Sequence, residues 1–206
     1  MKRKNEEGKP DGESKTEEGC LNGIRVGIFV EWNYEDLELQ YPLLRFREDG
    51  AEVFTIGPKK DEVYKGKHGY PQKSDRCIAD VKPEDLDCLV IPGGWAPDVW
   101  RRDEKFNALT RACVEQGKPT GAICHGPWML VSAKVLKGKT ITCFHSIKVR
   151  IRAHLAEDDV INAGATYVDK EVVEDSNIVT SRTPQDLPAF MKALIAQLKS
   201  KKKQKS

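Results

Sequence analysis

The residues best suited to chemistry lie in Gly121-Ala-Ile-Cys124-His125-Gly126-Pro127, where a thiol and an imidazole adjoin. The run before them, residues 118–123, is short and apolar and opens at a proline, as a buried parallel strand does. The run after them, residues 127–136, has helical spacing and stops before Lys137-Gly138. A cysteine on so sharp a strand-to-helix turn is pushed out at the carboxyl end of the sheet. Backbone N–H groups at the helix start then favour a thiolate. An ordinary buried cysteine beside an incidental histidine is the plainer alternative. The small residues around Cys124 and the strand–turn–helix setting favour the reactive one.

Two other loops carry compatible chemistry. Residues 87–91 read as a buried strand that opens directly into Pro92-Gly93-Gly94. Glycines there let the backbone approach a ligand closely. Beside a nucleophile, Gly93 and Gly94 with the N–H of His125 would form an oxyanion hole. A tight turn needing positive φ calls for the same residues. Neither phosphate-cradling glycine pattern is present. In the loop after the first strand, Glu35 falls in the first helical turn, at the same expected rim as Cys124. A protonated carboxyl there would donate to the thiolate or shuttle a proton to and from a carbonyl substrate. Glu31 and Asp36 compete for that role, and helical spacing is read as turning Glu38 elsewhere. His125, directly after the nucleophile, is not expected to point back at it. As a base it needs a carboxylate to orient it. Asp98, in Trp95-Ala-Pro-Asp98, is the nearest candidate in sequence, from this chain or another subunit. Trp95, Trp100 and Trp128 flank these loops and read as core or interface packing.

The elements that must position these loops alternate. A strand over residues 24–30, a helix over about 34–48 and a strand over 52–56 make one βαβ unit. Residues 57–82 are polar and turn-rich, with short strand candidates at 62–64 and 77–80, and read as a hairpin or edge excursion. A helix over 104–116 precedes the strand leading to Cys124. Further strands are expected at 140–143, 166–168, 172–173 and 177–181. A closing helix, capped by Thr183 with Pro184 in its first turn, runs over 187–198. Such alternation argues a three-layer α/β sandwich. In that architecture ligands bind outside the carboxyl ends of the strands, where the three loops would converge.

The chain has 206 residues and a net charge of +2, so no overall field points to nucleic acid. Its excess of lysine sits in the tails. Residues 1–22 and 199–206 are read as disordered charged segments flanking one domain over 23–198. No apolar run suits a signal peptide or a membrane span. Six scattered cysteines without a C-x-x-C pair read as reduced thiols of a cytoplasmic or nuclear protein, and no spacing suits a metal.

Asn33-Tyr-Glu35-Asp-Leu-Glu-Leu, Val90-Ile-Pro-Gly93-Gly94-Trp-Ala-Pro-Asp98, Ala122-Ile-Cys124-His125-Gly126-Pro127, Ile161-Asn-Ala-Gly164-Ala and Val179-Thr-Ser-Arg182-Thr-Pro184 occur in this order. Together they resemble the PfpI branch of the superfamily that includes the parkinsonism-associated deglycase, over roughly residues 24–198. The resemblance implies a flavodoxin-like, class I glutamine amidotransferase-like sandwich and a nucleophilic Cys124 paired with Glu35. It also implies an oxyanion hole from Gly94 and the His125 backbone, and Asp98 of a neighbouring subunit completing His125 in a dimer or hexamer. Asp98 is shorter in reach than a glutamate, and residues 149–157 lengthen the usual link before Ile161-Asn-Ala-Gly. The expected activity needs neither cofactor nor metal. It is a cysteine-dependent attack on α-oxoaldehydes or on glycated protein or nucleotide adducts, with a cysteine peptidase and a non-catalytic thiol redox sensor or stress chaperone as alternatives.

Overall fold

A computed structural model describes residues 19–144 and 156–205. Seven strands form one sheet in the order β10-β11-β7-β6-β1-β2-β5. They are β1 (Arg25–Phe29), β2 (Glu52–Gly57), β5 (Arg76–Cys77), β6 (Cys88–Ile91), β7 (Thr120–Ile123), β10 (Val172–Asp175) and β11 (Ile178–Ser181). All pairings are parallel except β10 with β11, a hairpin at one edge. Strands β6, β7 and β11 are buried along their whole length. That is the pattern of parallel strands covered on both faces.

Helices α1 (Asp36–Glu48) and α6 (Leu187–Lys205) pack together over one face, and α3 (Glu104–Glu115) covers β6 and β7 on the other. Two short helices, α2 (Ala96–Trp100) and α5 (Ala156–Asn162), join α4 (Pro127–Ser132) on the α3 side. Phe29 meets Phe106 edge-on at 4.8 Å and Trp100 at 5.6 Å, which fastens that layer to β1. The expected three-layer α/β sandwich is therefore present, with the Cys124 loop leaving the middle of the sheet.

The excursion over residues 57–82 contains both a hairpin and an edge strand. β3 (Val63–Lys65) and β4 (Pro71–Lys73) pair antiparallel apart from the main sheet, and β5 adds to its edge. A second small pair, β8 (Thr140–Ile141) with β9 (Thr166–Tyr167), is parallel.

Several boundaries differ from the sequence reading. The expected strand at 77–80 is β5 followed by a 3-10 turn over Ile78–Asp80. Residues 184–186 also form a 3-10 turn, and Thr183 makes no side-chain cap there. Leu21 is fully buried and its N–H donates to Asp49 O at 2.8 Å, so the folded unit begins before residue 23. At the other end, α6 continues to Lys205 instead of dissolving at 199. Lys201 there donates to the Gly117 carbonyl and Lys202 to the Asn22 carbonyl, contacts that composition alone does not reveal. Residues 1–18 and most of the lengthened segment 149–157 lie outside the described residues.

Candidate active site

Cys124 follows the last residue of β7 with φ of 62°. For a non-glycine residue this left-handed geometry costs about 1–3 kcal/mol and persists only where the surroundings enforce it. Here the Cys124 N–H donates to Ser181 O at 3.0 Å, and its carbonyl accepts from Phe144 N–H at 2.9 Å. The bend aims the side chain at the rim, leaving it 8% exposed. The helix that follows has only six residues, ending at Ser132 and not at 136.

The acid beside the sulfur is Glu38, and not Glu35. Glu38 is fully buried, and its Oε2 accepts the Gly93 N–H at 2.7 Å. A Cβ on Gly93 would lie 2.6 Å from both Glu38 Oε2 and Cys124 Cβ. Only glycine therefore lets the carboxyl, the backbone and the thiol meet. Burial pushes the Glu38 carboxyl up to about 8, against the Gly93 bond, which favours its charged form. Its other oxygen, Oε1, is buried with no hydrogen-bond partner among the described residues. The expectation that Glu38 turns away is overturned by its place on the helix. Glu38 lies on the buried stripe of α1 with Leu39, Pro42, Leu43 and Phe46.

Glu35 is also buried, but it is spoken for elsewhere. It forms an ion pair with Lys67, and His68 Nε2 stands 3.9 Å from its second oxygen. Its competitors have local tasks as well. Asp36 accepts the N–H groups of His68 and Tyr70, both at 2.9 Å. Glu31 accepts the Trp32 N–H at 2.8 Å. Glu35, Asp36 and His68 bring their ligating atoms within 4.8 Å of one another. The Lys67 ammonium already supplies the cation for Glu35, and the Asp36 oxygens are committed to N–H donors.

Burial pushes the Cys124 thiol well above its ordinary value, and the Glu38 carboxylate adds to this; N–H groups of Gly94 and His125 act against it. Those two donors are the ones expected for an oxyanion hole, and they converge on the sulfur. Gly94 needs its φ of 77°, since a side chain would meet the Asn33 carbonyl. His125 does point back at Cys124: Nδ1 lies 3.2 Å from Sγ. Its ring is sandwiched against Phe144 at 4.9 Å, with Trp128 at 4.9 Å and Trp95 at 6.0 Å. Burial, with a smaller contribution from Lys67, lowers its pKa to about 4, so the imidazole is neutral at pH 7.

Asp98 is not part of this cluster within one protomer. It is half-exposed and pairs with Arg102 one helical turn on. Beside it Trp95 is 64% and Val99 51% exposed, while Trp100 is buried in the core. The remaining buried cysteines lie away from these loops' acid and imidazole. Burial raises Cys113 and Cys143 to about 12 and Cys88 further. No helix among the described residues is long and apolar enough to cross a membrane.

A mostly parallel sandwich whose central strand turns through a left-handed cysteine into a helix defines the flavodoxin-like, class I glutamine amidotransferase-like class. Within that class, the DJ-1/PfpI family model matches residues 24–197, and the chain belongs to that family. It is similar to the protein called Deglycase TK1284 from Thermococcus kodakarensis, 45% identical over 176 residues that cover 85% of this chain and 100% of the relative. It is similar also to the putative cysteine protease YraA of Bacillus subtilis, 42% identical over 175 residues covering 85% and 98%. Among solved structures, a two-domain protein of Anabaena variabilis with DJ-1/ThiJ/PfpI-like and ferritin-like domains superposes with a TM-score of 0.78. It shares 36% identity over 85% of this chain and 48% of that one.

Proposed function

We propose that the protein is a cysteine-dependent enzyme that acts on α-oxoaldehydes, free or as early glycation adducts, without glutathione or another cofactor. The observation that carries this reading is the placement of Glu38: a buried carboxyl raised to about 8, with one oxygen unbonded, beside the elbow thiol. The Cys124 sulfur adds to the aldehyde carbon, and the thiol proton passes to the new alkoxide oxygen, giving a hemithioacetal. N–H groups of Gly94 and His125 hold that oxygen as its charge develops. Glu38 then takes the proton from the former aldehyde carbon and returns it to the neighbouring carbon, through an enediol. The product is a 2-hydroxy thioester. Water adds to it, the thiol leaves with a proton, and a hydroxy acid is released. A carboxyl poised between charged and neutral near pH 7 suits a step that needs it first as base and then as acid. The deglycase name borne by the Thermococcus relative agrees with this substrate class.

A peptidase is the second reading, favoured by the 3.2 Å Sγ–Nδ1 contact and by the name of the Bacillus relative. It requires His125 to be oriented by an acid. We assign that place to Asp98 of a second copy, for which the exposed Trp95 and Val99 beside Asp98 supply an apolar contact. The deciding experiment is lactate release from methylglyoxal without glutathione or metal. Turnover by the wild type that is lost in Cys124→Ser supports the carbonyl enzyme. No turnover in either, with hydrolysis of a fluorogenic peptide, replaces it by the peptidase.

A further inference from the structure

The turn joining β3 to β4 lies far from the elbow in sequence, yet its hydrogen bonds fasten it to the active-site loops. Lys67 N–H donates to the Tyr34 carbonyl and the Lys65 carbonyl accepts from Asn33 N–H, both at 2.9 Å. The turn closes on itself, Gly66 N–H to Tyr70 O at 2.9 Å, and Tyr34 Oη donates to the same Tyr70 carbonyl at 2.6 Å. Asp36 caps it from below through His68 and Tyr70. A side chain on Gly66 would overlap the Asp36 carboxyl. The loop that holds this turn is itself tied to the oxyanion-hole strand end: Glu35 N–H donates to Gly93 O at 3.1 Å and Trp95 N–H to Asn33 O at 2.9 Å. The turn, the β1–α1 loop and the Gly93–Gly94 loop are one hydrogen-bonded unit.

We infer that this unit exists to hold Lys67 as the fixed positive charge of the Cys124 pocket, with Glu35 as the positioning residue that anchors its ammonium. Glu38 from α1, His125 from the elbow and the N–H of Gly94 stand against Cys124; Lys67 from the turn is tied to them through its ion pair with Glu35, whose N–H donates to Gly93 O beside the thiol. Lys67 acts electrostatically on all three titratable members: it favours the charged forms of Cys124 and Glu38 and disfavours that of His125. The buried thiol and carboxyl raise each other, so they resist carrying two negative charges together. A neighbouring cation is the arrangement that lets such a pair lose a proton nearer neutral pH. Glu35 alone would add a third negative charge. Paired with Lys67, it fixes the ammonium of a partly exposed lysine against a buried carboxylate.

The test is the pH profile of Cys124 alkylation by iodoacetamide, followed as the mass of the Cys124 peptide so that exposed Cys20 does not interfere. Lys67→Met is expected to move the midpoint upward by about 0.5–1 pH unit, slowing reaction at pH 7 by about three- to tenfold. Lys67→Arg should stay close to wild type, and Glu35→Gln should fall between. Lys67→Gln provides a second neutral side chain if the methionine variant folds poorly. An unchanged midpoint in the neutral variants overturns the inference, as does an equal upward shift in Lys67→Arg, which would make the effect one of shape. Alkylation needs no carbonyl turnover. An absence of lactate release would therefore count against the proposed activity and leave this inference standing.

Discussion

The elbow at residues 120–132 carries the sulfur and the turn at residues 66–70 is tied to the loops beside it, but the two are built by opposite means. The elbow is local. Strand, thiol, donor and helix are consecutive, although the bonds that hold the left-handed turn come from Ser181 and Phe144. The turn is non-local: its shape depends on Asp36, more than 30 residues away by |i−j| of 32 and 34, and on a loop that also grips Gly93 and Trp95. Local construction presents the thiol at the rim, and non-local construction places the Lys67–Glu35 pair beside the loops around it.

Substituting Gly93 tests the place where the two regions meet and should have the largest effect. Gly93→Ala drives a methyl against the Cys124 side chain and the Glu38 carboxyl. Steady-state turnover is expected to fall by about 100-fold or more, the cost of a displacement near 1 Å in an active site. Asp36→Ala addresses the turn alone. It removes the acceptor of two backbone donors and should cost about 2 kcal/mol in chemical denaturation. Faster amide exchange at His68 and Tyr70, with Cys124 N–H still protected, would show that the two regions loosen separately.

A smaller effect concerns pH. The Glu38 pKa is raised from 4.5 to about 8 in the folded protein, so between those values the folded state binds more protons than the unfolded one. Its contribution makes stability fall as pH rises through that window. His125, lowered from 6.5 to about 4, acts in the opposite direction below 6.5. From pH 6.5 to 8 the Glu38 effect remains, and stability should fall by at most about 2 kcal/mol. Glu38→Gln should flatten this slope in denaturation curves taken across that range. The smallest effect is expected for Asp98→Asn, whose exposed i,i+4 pair with Arg102 should change stability by less than about 0.5 kcal/mol. A loss of turnover that appears only in the assembled form would identify Asp98 as a residue supplied between subunits.

The same division explains what the sequence made legible. The layer order, the buried strands and the elbow follow from periodicity and from residues that are neighbours in the chain. Gly94 and the His125 N–H were legible as candidate donors because each lies within three residues of a strand end. The acid could not be assigned so simply: Glu35, at the N-cap of α1, and Glu38 are three positions apart and share one side of the helix, so spacing alone does not choose between them. The stripe Leu39, Leu43 and Phe46, with Pro42, carried the signal that Glu38 points inward. Lys67 was hidden for a deeper reason, since polar residues in a turn-rich excursion give no periodicity to follow. The helical extension to Lys205 escaped notice because two lysine–carbonyl contacts, and not composition, anchor it.

The central claim is that Glu38 exchanges protons beside Cys124 while Glu35 anchors Lys67. Its most direct test compares methylglyoxal turnover in Glu38→Gln and Glu35→Gln, each with Cys124 alkylation confirming an intact thiol. The account predicts a loss of about 100-fold or more for Glu38→Gln, and of no more than about tenfold for Glu35→Gln. The opposite order, with Glu35→Gln inactive and Glu38→Gln near wild type, would contradict it.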